Sequence, residues 1–121
     1  PSNSSAASDV YKRQIRKRQE NYHYLLEHLP ERSDIRPVFP YLSDDICPMF
    51  FPFFVENRDA LIKHLADRHI PPKVYWPVPP FVKVEDYPGA QYIYSHIMSV
   101  SCDERFNTDD MQKIVEAFEN Y

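Results

Sequence analysis

The stretch "FFPFFVENRDALIKHLADRHIPPKVYW", residues 50–76, decides the fold. Its first six residues, Phe50-Phe51-Pro52-Phe53-Phe54-Val55, are the most apolar part of the chain and predict a central strand within Ile46–Val55. Proline cannot donate to a ladder, so Pro52 is expected at an edge or a bulge. Asn57 then predicts a helix N-cap, with Asp59 in the first turn. Leu61, Ile62 and Leu65 make an apolar stripe that carries the helix to about His69, and Pro71-Pro72 stops it. Lys73–Trp76 reads as a second strand, followed by the Pro77-Val78-Pro79-Pro80 loop. Strand, helix and strand in close succession are the pattern of a mixed domain.

Working outward, Tyr11–Leu29 predicts a helix whose apolar face is Ile15, Tyr22, Leu25, Leu26 and Leu29, ended by Pro30. Residues 1–9 are rich in Ser, Ala and Asn and predict a disordered tail. Ile35–Phe39 predicts a short edge strand, because Pro37 interrupts it. Downstream, Gln91–His96 predicts a short helix after a Pro88-Gly89 turn, and Ile97–Ser101 a strand. Thr108 is expected to cap a final helix that buries Met111, Ile114, Val115 and Phe118. The fold class is therefore α/β of the α+β kind: a small sheet of three to four strands with helices on one face.

Composition bounds the function. The 121 residues suffice for one domain, and 43% hydrophobic with 15% aromatic residues can fill its core. Net charge is -4, which gives no basic excess for a phosphate backbone, so no nucleic acid is expected as partner. No apolar run is long enough to cross a membrane, and no basic-then-apolar leader is seen. Two widely spaced cysteines, Cys47 and Cys102, form neither a disulfide framework nor a zinc motif, so a cytoplasmic location is expected. The chain holds one glycine, Gly89, and twelve prolines. A phosphate-cradling loop needs several glycines, so none is expected here.

Candidate chemistry is sparse. His23 and His28, like His64 and His69, are five residues apart, whereas a helical metal pair needs three or four, so no metal site is expected. Ser95-His96 are adjacent, but adjacency does not define a catalytic unit. Lys12, Arg13, Arg16, Lys17 and Arg18 form a basic cluster on the first helix, readable as a contact surface, a solvated face, or a face meeting an acidic neighbour. Tyr75, Trp76 and Pro77 place two large amphipathic rings at a strand end beside a stiff loop, the kind of place where binding residues sit.

The ordered set "FFPFFVENRDALIKHLADRHIPPKVYWPVPP", "YPGAQYIYSHIMSVSCD" and "FNTDDMQKIVEAF" resembles the C-terminal small domain of DegT/DnrJ-type sugar aminotransferases, pyridoxal-phosphate enzymes of fold type I. The resemblance covers Arg13 to Asn120. It implies that the cofactor lysine, the carboxylate facing the pyridine nitrogen and the phosphate cup lie in a large N-terminal domain that this chain lacks. Lys12, Lys17, Lys63, Lys73, Lys83 and Lys113 match no part of the family's lysine motif. No catalytic or cofactor-binding residue is therefore expected here, and the chain alone should bind no cofactor. Tyr75, Trp76 and Pro77 match the segment that faces substrate. Tyr75 stands where many members carry histidine, which alters any proton-handling role there, since a tyrosine is a poor base near neutral pH. The parent implied is a homodimer that moves an amino group from an amino acid, glutamate, to a nucleotide-linked keto-sugar. Residues 1–14 resemble adaptor-derived sequence, so the native domain is expected over 15–121. Two rival readings are a non-catalytic interaction module using the basic helix, and a family member that has lost its lysine.

Overall fold

The structure is a computed structural model that describes residues 2–74 and 78–121, with the side chains of residues 2–5 excepted. Among the described residues, four α-helices surround a three-stranded antiparallel sheet. In chain order they are α1 (Ser2–His28), β1 (Ile35–Pro37), β2 (Phe50–Val55), α2 (Arg58–Ala66), α3 (Pro88–His96), β3 (Ile97–Ser101) and α4 (Thr108–Glu119), with a single 3₁₀ turn at Val84–Asp86 before α3. The sheet order is β1-β2-β3, so the apolar strand is central as expected.

Strand alternation divides the sheet into two faces. Phe51 and Phe53 of β2 stand opposite Val100 and Met98 of β3, and Val55 stands opposite Ile35 of β1. All six are buried, together with Tyr22 and Leu25 of α1, Leu61 and Leu65 of α2, and Met111, Ile114, Val115 and Phe118 of α4. Phe53 meets Phe118 edge-on at 5.4 Å, and Tyr22 tilts against Phe51 at 4.8 Å. Helices α1, α2 and α4 thus cover one face. The other face carries Phe54, which meets Tyr92 of α3 at 5.6 Å.

Pro52 is neither at an edge nor in a bulge, which corrects the expectation. It lies in the central strand opposite Ser99. Successive residues of an antiparallel strand aim their N–H groups at alternate neighbours. The Pro52 nitrogen falls on the β1 side, where β1 has ended at Pro37, and its carbonyl still accepts from Val38 N–H at 3.1 Å. The pair with Val38 thus keeps one of its two bonds, and the regular ladder to β1 stops at this position.

Other boundaries also shift: β1 ends at Pro37 rather than Phe39, and α2 at Ala66 rather than about His69. Helix α1 begins at Ser2 rather than Tyr11, so residues 2–9 are helical rather than irregular. Nothing there breaks a helix, and Ala6 and Ala7 favour one. Helix α3 starts at Pro88 itself, whose fixed φ suits a first turn. Asn107, not Thr108, caps α4. Its Oδ1 accepts from Asp110 N–H while Asp110 Oδ2 accepts from Asn107 N–H, both at 3.0 Å, a reciprocal capping box. Of the strand expected over Lys73–Trp76, Lys73 bridges to Ser99 on the outer edge of β3 through two 2.9 Å bonds, Val74 is not in a strand, and Tyr75 and Trp76 lie outside the described residues.

Asn57 caps α2 as expected, accepting from Ala60 N–H. The helix then closes in a Schellman arrangement, with Ile70 N–H bonded to Leu65 O and His69 N–H to Ala66 O. His69 sits at the left-handed position of that motif, with φ 59°. Glycine usually fills it, and an L-residue there costs roughly 1–2 kcal/mol.

Candidate functional site

The segment singled out by its sequence leaves α2 through Ile70, Pro71 and Pro72 and is clamped to the sheet at Lys73. Ser99 is buried and donates its hydroxyl to Lys73 O at 3.4 Å, in addition to the two backbone bonds. Tyr75, Trp76 and Pro77 lie outside the described residues. Past them, Val78 and Pro79 are half-buried, Val82 N–H closes a turn onto Pro79 O, and Phe81 is 87% exposed.

On the face away from the core lies a polar and aromatic cluster that is not apparent in the sequence. Arg36 of β1 donates to the Tyr92 hydroxyl, which donates to Glu56 Oε1 at 3.4 Å. The Arg36 guanidinium also lies over the rings of Phe54 and Tyr92, at 5.8 and 6.0 Å. His96 stacks on Tyr92 at 4.0 Å, donates from Nδ1 to Tyr92 O, and holds Nε2 3.8 Å from Glu56. Arg36, Glu56 and the Tyr92–His96 pair are 20–60 positions apart in sequence, so only the antiparallel pairing of β1 with β2 and the return of α3 unite them. Their donors and acceptors suit a hydroxyl-rich ligand.

The adjacent Ser95 and His96 do not form a catalytic pair. Ser95 Oγ donates to Gln91 O while His96 turns to Tyr92 and Glu56. The histidine pairs likewise diverge. His64 Nε2 donates to Ala117 O at 2.7 Å, His28 Nδ1 to Tyr24 O, and no group of three metal-ligating side chains converges among the described residues. In the basic cluster, Lys12, Arg13, Arg16 and Lys17 are exposed, whereas Arg18 is ion-paired with Glu104. Cys47 is exposed and Cys102 buried. Burial pushes the Cys102 thiol up to about 12, so it stays protonated and unreactive. Hydrogen bonds from Arg105 hold Asp103 down at about 2, which makes it a fixed charge. No helix among the described residues is long and apolar enough to cross a membrane.

Pyridoxal phosphate needs a lysine amine in an enclosed pocket and a cradle of backbone N–H groups for its phosphate. Lys12, Lys17, Lys63, Lys73, Lys83 and Lys113 are all exposed. Gly89 lies inside α3, and a Cβ added there would meet nothing within 4 Å, so it marks no close backbone approach. These residues do not by themselves fit the cofactor.

Comparison with known proteins places this arrangement. The sequence profile of the DegT/DnrJ/EryC1/StrS aminotransferase family matches residues 9–119. A curated relative, the dTDP-3-amino-3,6-dideoxy-alpha-D-galactopyranose transaminase of Aneurinibacillus thermoaerophilus, is 25% identical over 114 residues, which are 87% of this chain and 31% of that protein. Among solved structures, a putative sugar aminotransferase of Streptococcus pneumoniae in its PMP form is similar with a TM-score of 0.78 at 16% identity, covering 93% of this chain and 31% of the other. The sugar aminotransferase CalS13 of Micromonospora echinospora gives 0.74 at 18%, covering 88% and 30%. DesV of S. venezuelae, in complex with a ketimine intermediate, gives 0.72 at 19%, covering 88% and 31%. The chain thus spans about a third of the length of the proteins it matches. With the profile matched along nearly its whole length and the fold shared, the chain belongs to the DegT/DnrJ/EryC1/StrS aminotransferase family.

Proposed function

We propose that this chain is the C-terminal small domain of a pyridoxal-phosphate-dependent enzyme that moves an amino group from glutamate to a nucleotide-linked keto-sugar. One observation carries the reading: the family profile runs through residues 9–119, yet the chain spans only 31% of its sugar-transaminase relative. The remaining two thirds would supply the large N-terminal domain, with the cofactor lysine and the phosphate cup. The exposed lysines of this chain support that division. The parent acts as a cytoplasmic homodimer, residues 15–121 form the native domain, and the chain alone is inactive.

Within the parent, Tyr75, Trp76 and Pro77 wall the substrate side of the cleft. Trp76 anchors the loop and Tyr75 hydrogen-bonds the sugar. The clamp of Lys73 onto Ser99 supports the reading, because it fixes the backbone two residues before Tyr75 to the rigid sheet. In the complete enzyme, glutamate and a nucleotide-linked keto-sugar should yield 2-oxoglutarate and the amino-sugar. Tyr75→Phe should lower kcat/KM several-fold, the equivalent of about 0.5–1.5 kcal/mol for one hydrogen bond, without changing Tm. Unchanged kinetics would remove Tyr75 from the site, and absence of glutamate-dependent amination would remove the reaction.

A further inference from the structure

A half-open cleft of about 320 Å³ lies between the end of α2 with Pro71, the end of β3 and the first turns of α4. Ile70, Phe106, Met111 and Ile114 provide its apolar lining, and Arg68, His69 and Lys113 stand among its polar residues. The volume is at the lower end of the roughly 300–1,000 Å³ of small-molecule sites. The geometry points to a binding site for a small organic phosphate, one with a flat, partly apolar body such as a nucleoside monophosphate.

Two observations converge on that class. The first is charge. Arg68 and Lys113 face one carboxylate, Asp110, whose Oδ1 is 4.0 Å from Lys113 Nζ and whose Oδ2 already accepts from Asn107 N–H. Arg68 donates from Nη1 to His64 O and lies 3.0 Å from His64 Nδ1, which anchors the guanidinium while its other N–H groups have no protein partner among the described residues. A fork held at one nitrogen suits an oxyanion. The second is His69. It occupies the left-handed position, φ 59°, where glycine would be free of strain, and its exposed imidazole lines the cleft. The helix ending accounts for that backbone, but the imidazole makes no hydrogen bond within the described protein and lines the cleft together with Arg68 and Lys113, so its ring nitrogens are available to a ligand. The anion would sit at Arg68, His69 and Lys113 and the flat body against Phe106 and Ile70.

The test uses the 121-residue chain and adenosine 5′-monophosphate, with inorganic phosphate and adenosine as half-ligands, followed by amide chemical shifts. The monophosphate should shift His69, Ile70 and Phe106 and bind more tightly than either half. His69→Gly should weaken binding about fivefold without loss of stability, since glycine is at ease at this φ. Lys113→Gln, at an exposed position, should weaken it to a similar degree. The site is overturned if the monophosphate leaves these amides unmoved, if inorganic phosphate alone binds equally well, or if His69→Gly binds like the parent chain.

Discussion

Asn21 shows at the scale of one residue how α1 is held to the distant end of the chain. It is 1% exposed, and its Nδ2 donates to three carbonyls, those of Cys102, Asp103 and Phe106, at 3.0–3.2 Å. Its Oδ1 has no hydrogen-bond donor among the described residues. Removing the side chain relieves that orphan acceptor but leaves three carbonyls around a buried gap. A buried polar group left unpaired costs about 1–3 kcal/mol, so the loss outweighs the relief. Asn21→Ala should therefore destabilise by about 2–3 kcal/mol, read as a lower urea midpoint at unchanged slope. An unchanged midpoint would mean that the loop after β3 holds its place without α1. Nothing local in the sequence announces this role, since the three carbonyls come from backbone more than 80 positions away. The Asn107 cap was missed by one residue for a simpler reason: Asn107 and Thr108 are both good caps, and only the returning Asp110 carboxylate separates them.

Elements with a single strong period were legible. Strand β3 has the bounds expected, and the buried face of α4 holds every residue its spacing indicates, with Ala117 added. Pairing was less legible than existence. Whether Pro52 is tolerated depends on where β1 ends, and whether Lys73 begins a strand depends on how far a partner edge extends. Both are decided by a neighbouring segment, which periodicity does not see. The first half of α1 is the opposite case. Residues 6–14 are helical but all exposed, so they bury nothing against the domain. Helix without tertiary contact adds little stability in water. Deleting residues 1–14 should leave Tm unchanged by thermal scan, as expected if they lie outside the native domain. A drop of several degrees would contradict that division.

For the molecule as a whole, the fold class followed from the strand and helix pattern, while the family followed from the order of motifs rather than from any one of them. The polar cluster of Arg36, Glu56, Tyr92 and His96 was invisible in the sequence because three elements assemble it. We propose above that this chain closes the cleft of an aminotransferase whose cofactor is held elsewhere in the same polypeptide. It is tested most directly by reading the genomic DNA upstream of the codon for Ile15. The account predicts an open frame continuing upstream for about twice the length of this chain, carrying a lysine within the family's Schiff-base motif. A start codon near residue 1, or an upstream domain without that lysine, would contradict it.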